Sequence, residues 1–211
     1  MERNRKRLLL SGGERLFGQS GYRSVSIRDI TSAAGLGMGS FYTYFPSKES
    51  FYSNVVDLIE ERAAKEITRH VSSLRSPSYR LKALFRWTNL TLRASAILRG
   101  LYGGERRFLY PGAEERVQNG TTLFAHVRSL LTDILAEGTR TGAFRTGLFK
   151  DPRRMLMAVF TAVSLASGTE DSTDLAEDMM LLVERGMRRW LRFRQRAERL
   201  DVRARRKSDK G

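Results

Sequence analysis

The sequence predicts an all-α protein of about nine helices, and three observations lead to that prediction. None of the 211 residues lies in an alternating run of β-branched and polar residues bounded by hairpin turns, so no strand is predicted. No repeat of fixed period is present. Cap residues, glycines and prolines instead divide the chain into segments of helical length. With 41% hydrophobic residues and only four prolines, the chain is expected to be globular rather than disordered.

The first two helices are delimited by local capping signals. The first helix is predicted to end at Ser20 and Gly21, because glycine suits a left-handed C-terminal cap. Ser26 begins the second helix, and Asp29 stands three residues later, where its carboxylate can complete a capping box. Gly35 ends this helix after about two turns.

A third and a fourth helix follow. Residues 36–37 link the second helix to a short third helix that ends near residues 45–46, where a proline stops it. Ser47 is the predicted N-cap of a long fourth helix that reaches about Ser73. Residues 1–50 are therefore predicted to form a small N-terminal domain.

Five further helices are predicted in the rest of the chain. Pro77 suits the first turn of one of them, and a group of glycines ends it. Asp151 and Pro152 form a cap and first-turn pair for another. Residues 51–195 are predicted to form a second domain, followed by a basic tail at 196–211. The predicted helices cover about residues 77–98, 105–110, 114–141, 152–167 and 173–191.

The formal net charge of +15 at pH 7 favours a polyanionic partner. One concentration of charge is a predicted arm ahead of the first helix, formed by Arg3, Arg5, Lys6 and Arg7. A second begins at Arg185 and continues into the tail, although such a run is more often a solvated face than a binding site. The charge alone fits both nucleic acid and an anionic membrane surface.

The sequence offers little to an enzyme. It contains no cysteine, which excludes thiolate zinc sites and cysteine nucleophiles and fits a reducing cytoplasm. His70 and His126 are isolated and are better explained as surface or core residues than as metal ligands. Glu114 and Glu115 are adjacent on a predicted helix and point about 100° apart, which disfavours a shared acid-base site. We expect no catalytic site, metal or cofactor, and the longest apolar run, at 155–166, is too short to span a membrane.

The stretch from Ile27 to Phe45 satisfies the geometry of a helix-turn-helix. With the aromatic residues of the third helix facing inward, the step of about 100° per residue turns Gly39, Ser40 and Thr43 outward. Tyr42 lies on the flank. A short polar face with little bulk would then meet a major groove, although a helical hairpin without a DNA role has the same spacing. The apolar positions that can pack across the turn are Ile30, Ala34, Leu36, Phe41 and Phe45.

A longer motif surrounds this stretch. It runs LFGQSGYRSVSIRDITSAAGLGMGSFYTYFPSKESF, and a weaker one, ILAEGTRTGAFR, follows in the second domain. From Arg5 to about Phe51 the chain resembles the DNA-binding domain of the TetR family. The resemblance implies an all-α fold, with a three-helix helix-turn-helix domain followed by a helical ligand-binding and dimerisation domain. It also implies a sequence-specific transcriptional regulator, a repressor released from a palindromic operator by a small-molecule effector.

The resemblance implies roles for individual residues. Tyr42 and Lys48 match positions that contact phosphates, which fits an ammonium near the N-terminus of the fourth helix. Arg28 resembles a groove or phosphate contact, and Ser40 and Thr43 match positions that face bases. Departures from the family pattern, which bear on the operator sequence rather than on DNA binding itself, occur at Thr31, Gly37 and Met38. The predicted DNA-binding residues are Arg28, Met38, Gly39, Ser40, Tyr42, Thr43 and Lys48.

The third helix lacks the side chains that make strong base contacts. No arginine, lysine, asparagine or glutamine lies between Leu36 and Phe45, so bidentate contacts to guanine or adenine cannot come from this helix. Arg28 is then the best placed guanidinium, and the basic arm is expected to follow a minor groove.

For the second domain, the resemblance implies dimerisation through the last two helices and an internal effector pocket. The predicted helix at 152–167 supports a homodimer independently, because it is apolar on almost every face and a partner subunit would cover it. We expect a small, mostly apolar effector. The alternative hypothesis is a basic membrane-surface or nonspecific nucleic-acid-binding helical protein, which would leave the helix-turn-helix unused. The candidate pocket residues, each of which is more often plain core, are Trp87, Tyr102, Phe108, Phe124, Met157 and Phe160.

Overall fold

The computed structural model describes residues 2–118 and 122–144, with the isolated residues 151, 154 and 178. Eight helices and no strand lie within these residues, which confirms the all-α prediction. The helices are α1 (Glu2–Ser24), α2 (Ile27–Ala33), α3 (Met38–Tyr42), α4 (Lys48–Ser72), α5 (Pro77–Ala94), α6 (Ala96–Tyr102), α7 (Ala113–Gln118) and α8 (Thr122–Arg140).

Several predictions fall outside the described residues. Apart from the isolated residues just named, these are the helices at 152–167 and 173–191 and the basic tail at 196–211. The candidate pocket residues Met157 and Phe160 lie there as well.

Helix α1 is longer at its start than the sequence indicates. It begins at Glu2, so the prediction of a basic arm ahead of the first helix is wrong. Arginine and lysine have good helix propensity, and they join the first turns of the helix. Near its other end the helix breaks at Gly21, with φ 77° and ψ 172°, which is the glycine predicted to end it.

The predicted capping box of α2 is present. The Ser26 Oγ accepts a hydrogen bond from the Asp29 amide at 3.2 Å, and the Asp29 carboxylate accepts one from the Ser26 amide at 2.8 Å. The bond from the Ser26 hydroxyl, followed by that from its amide, holds the pKa of Asp29 below its ordinary value. Gly35 follows the helix with φ 66°, in the left-handed region that glycine tolerates.

The single helix predicted at 77–98 is wrong, because the chain breaks at Ser95 (φ −109°, ψ 107°) into α5 and α6. The Ser95 Oγ caps α6 by accepting a hydrogen bond from the Leu98 amide at 3.3 Å. The short helix predicted at 105–110 is also wrong, since this segment forms turns. Its Phe108 is fully buried against Gly100, where the ring occupies the space that any β-carbon would need.

The predicted helix at 114–141 corresponds to α7 and α8. Helix α7 begins one residue earlier, at Ala113, and α8 ends at Arg140. Between the two, residues 119–121 are outside the described part of the chain.

Helix α4 connects the two halves of the fold. Near its start, the Phe51 ring packs on Phe17 of α1 at 6.0 Å and on Phe41 of α3 at 5.2 Å. Further along, α4 packs against α5, α6 and α8. In the described ranges, none of the helices is both long and apolar enough to cross a membrane. The buried residues of α4 are Phe51, Tyr52, Val55, Val56, Ile59, Glu60, Ala63, Ile67 and Val71.

Candidate nucleic-acid interface

Helices α2 and α3 form a helix-turn-helix held from behind by aromatic residues. Ile30 of α2 and Phe41 of α3 are completely buried. The Phe41 ring centroid lies 5.7 Å from that of Phe45, and the Phe45 centroid lies 4.8 Å from that of Phe51 on α4. Aromatic pairs at these separations attract one another in addition to the area that they bury. The inner face of α3 is therefore fixed, and its other face is presented outward.

The outward face of α3 and its C-cap residue Thr43 carry four of the predicted DNA-binding residues. Met38 is 48% exposed and Tyr42 is 55% exposed, and Gly39 and Thr43 are also exposed. Ser40 is expected to face outward, and in the structure it is half-buried. The Thr43 hydroxyl donates to the Gly39 carbonyl oxygen at 3.2 Å, so its methyl group and its oxygen lone pairs are what remain for a ligand.

Arg28 lies at the start of α2 and is exposed. It lies two residues after the N-cap Ser26, and its charged side chain is on the surface. A guanidinium placed here is available to a polyanion in front of the helix-turn-helix.

Lys48 has a role that the sequence did not indicate. Its ammonium donates to the carbonyl oxygens of Tyr22 at 3.0 Å and Val25 at 2.9 Å, and it lies 4.3 Å from the centroid of the Tyr22 ring. Burial lowers the pKa of this ammonium below its ordinary value. Two of its three N–H groups therefore close the link between α1 and α2, and one remains for an anion. The two carbonyls are main-chain groups more than 20 residues away, and no side-chain pattern reveals such partners.

Tyr22 is the centre of a second set of contacts beside the interface. Its hydroxyl donates to the Glu49 carboxylate at 2.5 Å. This hydrogen bond is the main cause that lowers the pKa of Glu49, while burial followed by the bond to Glu49 raises the pKa of Tyr22. The Tyr22 ring also lies 5.2 Å from that of Tyr52 and 6.0 Å from that of Tyr110. The start of α4 is thereby tied to the end of α1.

The first turns of α1 bring basic side chains beside α3. Arg5, Lys6 and Arg7 are exposed, and the Lys6 ammonium lies 5.4 Å from the centroid of Phe45. Because this segment is helical, it cannot enter a minor groove as an extended chain, and the predicted minor-groove arm takes the form of a basic helical turn. Such a turn supplies positive charge at the edge of the helix-turn-helix.

A main-chain contact joins this region to the turns after α6. The Tyr22 amide donates to the Arg107 carbonyl oxygen at 2.6 Å. A β-carbon on Gly21 would lie 2.5 Å from that same oxygen, so the close approach requires glycine. The sequence predicted a glycine cap at Gly21, but it did not predict that the Arg107 carbonyl lies against it.

The described candidates for the effector pocket are divided among three places. The Trp87 ring stacks on His70 with centroids 3.3 Å apart, and Phe108 is buried against Gly100. Tyr102 meets Phe124 edge to face at 4.6 Å. Two clefts of about 420 and 580 Å³ open elsewhere, both lined in part by Tyr110, and none of the predicted pocket residues lines them.

A buried carboxylate lies next to the Tyr102 ring. Glu60 of α4 is completely buried and accepts hydrogen bonds from the Tyr102 hydroxyl at 2.7 Å and from Arg116 of α7 at 3.2 Å. Arg116 also donates to Asp57 at 2.5 Å and to Ser53 at 3.2 Å. This cluster was not predicted from the sequence, although Glu60 follows the apolar Ile59 and lies one helical turn from Val56 and Ala63, which is a pattern that places its carboxylate in the core. The cluster joins α4, α6 and α7.

Comparison with known proteins adds to this geometry. The family model described as bacterial regulatory proteins, tetR family, matches residues 9–55, which contain the whole helix-turn-helix. The chain is 29% identical over 144 residues to the transcriptional repressor KstR2 of Rhodococcus jostii, covering 68% of this chain and 70% of that protein. It is 28% identical over 148 residues to the repressor DhaR of a Mycobacterium species, covering 68% and 71%.

The fold is also shared with solved structures. The regulator FadR from Bacillus subtilis, determined in complex with stearoyl-CoA, superposes with a TM-score of 0.68 at 16% sequence identity. The match covers 86% of this chain and 98% of that one. At this identity the likeness establishes the fold.

Proposed function

We propose that this chain is a DNA-binding transcriptional regulator of the TetR family, a homodimeric repressor released from a palindromic operator by a small, mostly apolar effector. The observation that carries the proposal is the exposed face of α3 on a helix fixed from behind by Phe41 and Phe45. The two relatives named above are repressors, which supports the same direction of regulation. We further propose that the protein acts in the cytoplasm, where its operator lies.

Selection of bound fragments from random duplex DNA is the experiment that tests this function. We expect an inverted repeat, because two copies of the helix-turn-helix related by a twofold axis read two half-sites. Light scattering at micromolar concentration should show twice the chain mass. Recovery of fragments without any shared sequence would overturn the proposal, and a monomer would remove the basis for a palindrome.

Substitution of Arg28 and Lys48 separates base contacts from phosphate contacts. Arg28→Ala is expected to relax specificity at one base pair per half-site, at a cost of about 1–3 kcal/mol if the contact is bidentate. Lys48→Ala should weaken binding to operator and scrambled duplex alike and reduce the salt slope by about one unit per site. It should also destabilise the link between α1 and α2, because the Tyr22 and Val25 carbonyls lose their donor.

Both variants are measured on both duplexes over a series of salt concentrations, at a temperature where circular dichroism shows them folded. A changed base preference in Lys48→Ala, with an unchanged salt slope, would contradict its assignment to a phosphate.

The proposed effector site lies around the edge-to-face pair of Tyr102 and Phe124. The pair supplies two aromatic rings in edge-to-face contact, and the Tyr102 hydroxyl donates a hydrogen bond to the buried Glu60. Pockets for small molecules commonly combine aromatic walls with a few polar groups of this kind. Stearoyl-CoA is the first probe, since the FadR structure of similar fold contains it. An effector that releases the operator lowers the affinity of the protein for the operator by some factor. The operator must then lower the affinity of the protein for the effector by the same factor.

A further inference from the structure

Gly39 has no structural reason to be glycine. It lies in the five-residue helix α3, and a β-carbon added there would meet no atom within 4 Å. Its φ angle is not in the left-handed region, in contrast to that of Gly35 at the preceding turn. A glycine in a helix is destabilising relative to alanine. The fold would therefore accept alanine at this position, and the glycine leaves the outward face of α3 without a side chain there.

The surface around Gly39 is low and poor in hydrogen-bond donors. The Thr43 hydroxyl donates its proton to the Gly39 carbonyl oxygen, which leaves the Thr43 methyl group and the oxygen lone pairs for a ligand. The thioether side chain of Met38 is 48% exposed next to it. Between Leu36 and Phe45 no arginine, lysine, asparagine or glutamine is present to contact guanine or adenine through paired hydrogen bonds. This face offers close approach and apolar contact.

We propose that Gly39 is the point of closest approach of α3 to the operator, and that the patch of Met38, Gly39 and Thr43 reads the methyl groups of thymines in the major groove. The inference rests on the proposed function and specifies which base feature is read. Thymine is the base that presents a methyl group in the major groove, and this group is distinguished by apolar contact. Glycine permits the backbone to approach a ligand more closely than any other residue does. A β-carbon at position 39 would enter the space of the methyl group.

The first test compares Gly39→Ala with Gly18→Ala. Gly18 lies in the middle of α1, and a β-carbon there also meets no atom within 4 Å, so both variants should keep or raise the melting temperature. Gly39→Ala is expected to weaken binding to the selected operator about tenfold, as for one mismatched base pair in each site. Gly18→Ala should leave operator affinity unchanged. Equal affinities of Gly39→Ala and the unmodified protein would overturn the proposal.

The second test removes the methyl groups from the DNA. Each thymine of the operator is replaced in turn by deoxyuridine, which keeps the base-pairing pattern and lacks only the C5 methyl group. At one or more positions per half-site we expect a loss of about fourfold, the value for one buried methyl group. At those positions the penalty of Gly39→Ala should shrink, because the added β-carbon no longer meets a methyl group.

The outcomes separate this inference from the proposed function. If a palindrome is selected and bound, but deoxyuridine has no effect at any position, the thymine contact is wrong and the function stands. If the penalty of Gly39→Ala is the same on both duplexes, Gly39 is not the point of contact with the methyl group. If no sequence is selected at all, the proposed function itself fails.

Discussion

Replacement of Glu60 by alanine is expected to lower the free energy of unfolding by about 3 kcal/mol, the lower end of the cost of breaking a buried ion pair. Glu60 is completely buried, and its carboxylate is the acceptor for both Arg116 and the Tyr102 hydroxyl. Without it, these two donors remain in a region from which water is largely excluded. The loss stays at the lower end because Asp57 still pairs with Arg116 at 2.5 Å. Urea denaturation followed by circular dichroism measures the effect.

Two controls distinguish the loss of the ion pair from a general effect on α4. Glu61→Ala changes the exposed neighbour and is expected to alter stability by less than about 0.5 kcal/mol. The double variant Glu60→Leu with Arg116→Met replaces both charges by apolar groups and should recover most of the lost stability. Equal stabilities of Glu60→Ala and Glu61→Ala would show that the buried carboxylate does not contribute as its contacts indicate.

Replacement of Gly21 by alanine is expected to cost about 3 kcal/mol, because two penalties combine. The backbone at Gly21 has φ 77° and ψ 172°, a region that residues with a β-carbon rarely adopt. In addition, the β-carbon would lie 2.5 Å from the Arg107 carbonyl oxygen and would force apart the contact made by the Tyr22 amide. For a chain of this length the melting temperature should fall by about 6–12 °C.

Gly35→Ala is the matched control. Gly35 also has a positive φ, 66°, but a β-carbon there meets no atom within 4 Å. Its replacement should cost about 1–2 kcal/mol, the strain of a left-handed residue alone. The difference between the two variants therefore measures the contact with Arg107 together with the extra strain of the backbone region that Gly21 occupies. Identical losses would mean that backbone strain explains the Gly21 effect and that the contact adds nothing.

The parts of the fold that depend on local signals could be predicted from the sequence. The capping box of Ser26 and Asp29 and the turns at Gly21 and Gly35 involve residues close in the chain, so residue type and spacing were enough. The outward face of α3 followed from helical periodicity once Phe41 was placed inside. These features define the helix-turn-helix.

The rest depends on contacts between distant residues. The segment 105–110 forms turns because Phe108 is held against Gly100, and propensity alone favoured a helix there. The ammonium of Lys48 is directed at main-chain carbonyls on the link before α2, which carry no sequence signature. Charge pattern suggested an extended arm at the N-terminus, whereas the residues continue α1. In each case contacts with distant residues, or the continuation of a long helix, decided the structure against the prediction from neighbouring residues.

The hydrogen bond from the Tyr22 amide to the Arg107 carbonyl has a consequence for how such proteins can be recombined. Both atoms belong to the main chain, so the side chain at position 107 can change without removing the acceptor. A chimera that keeps Gly21 and a turn of the same shape after α6 would therefore keep this hydrogen bond, even where other side chains of the two parts differ. Substitutions at position 107 can therefore accumulate without removing this backbone hydrogen bond.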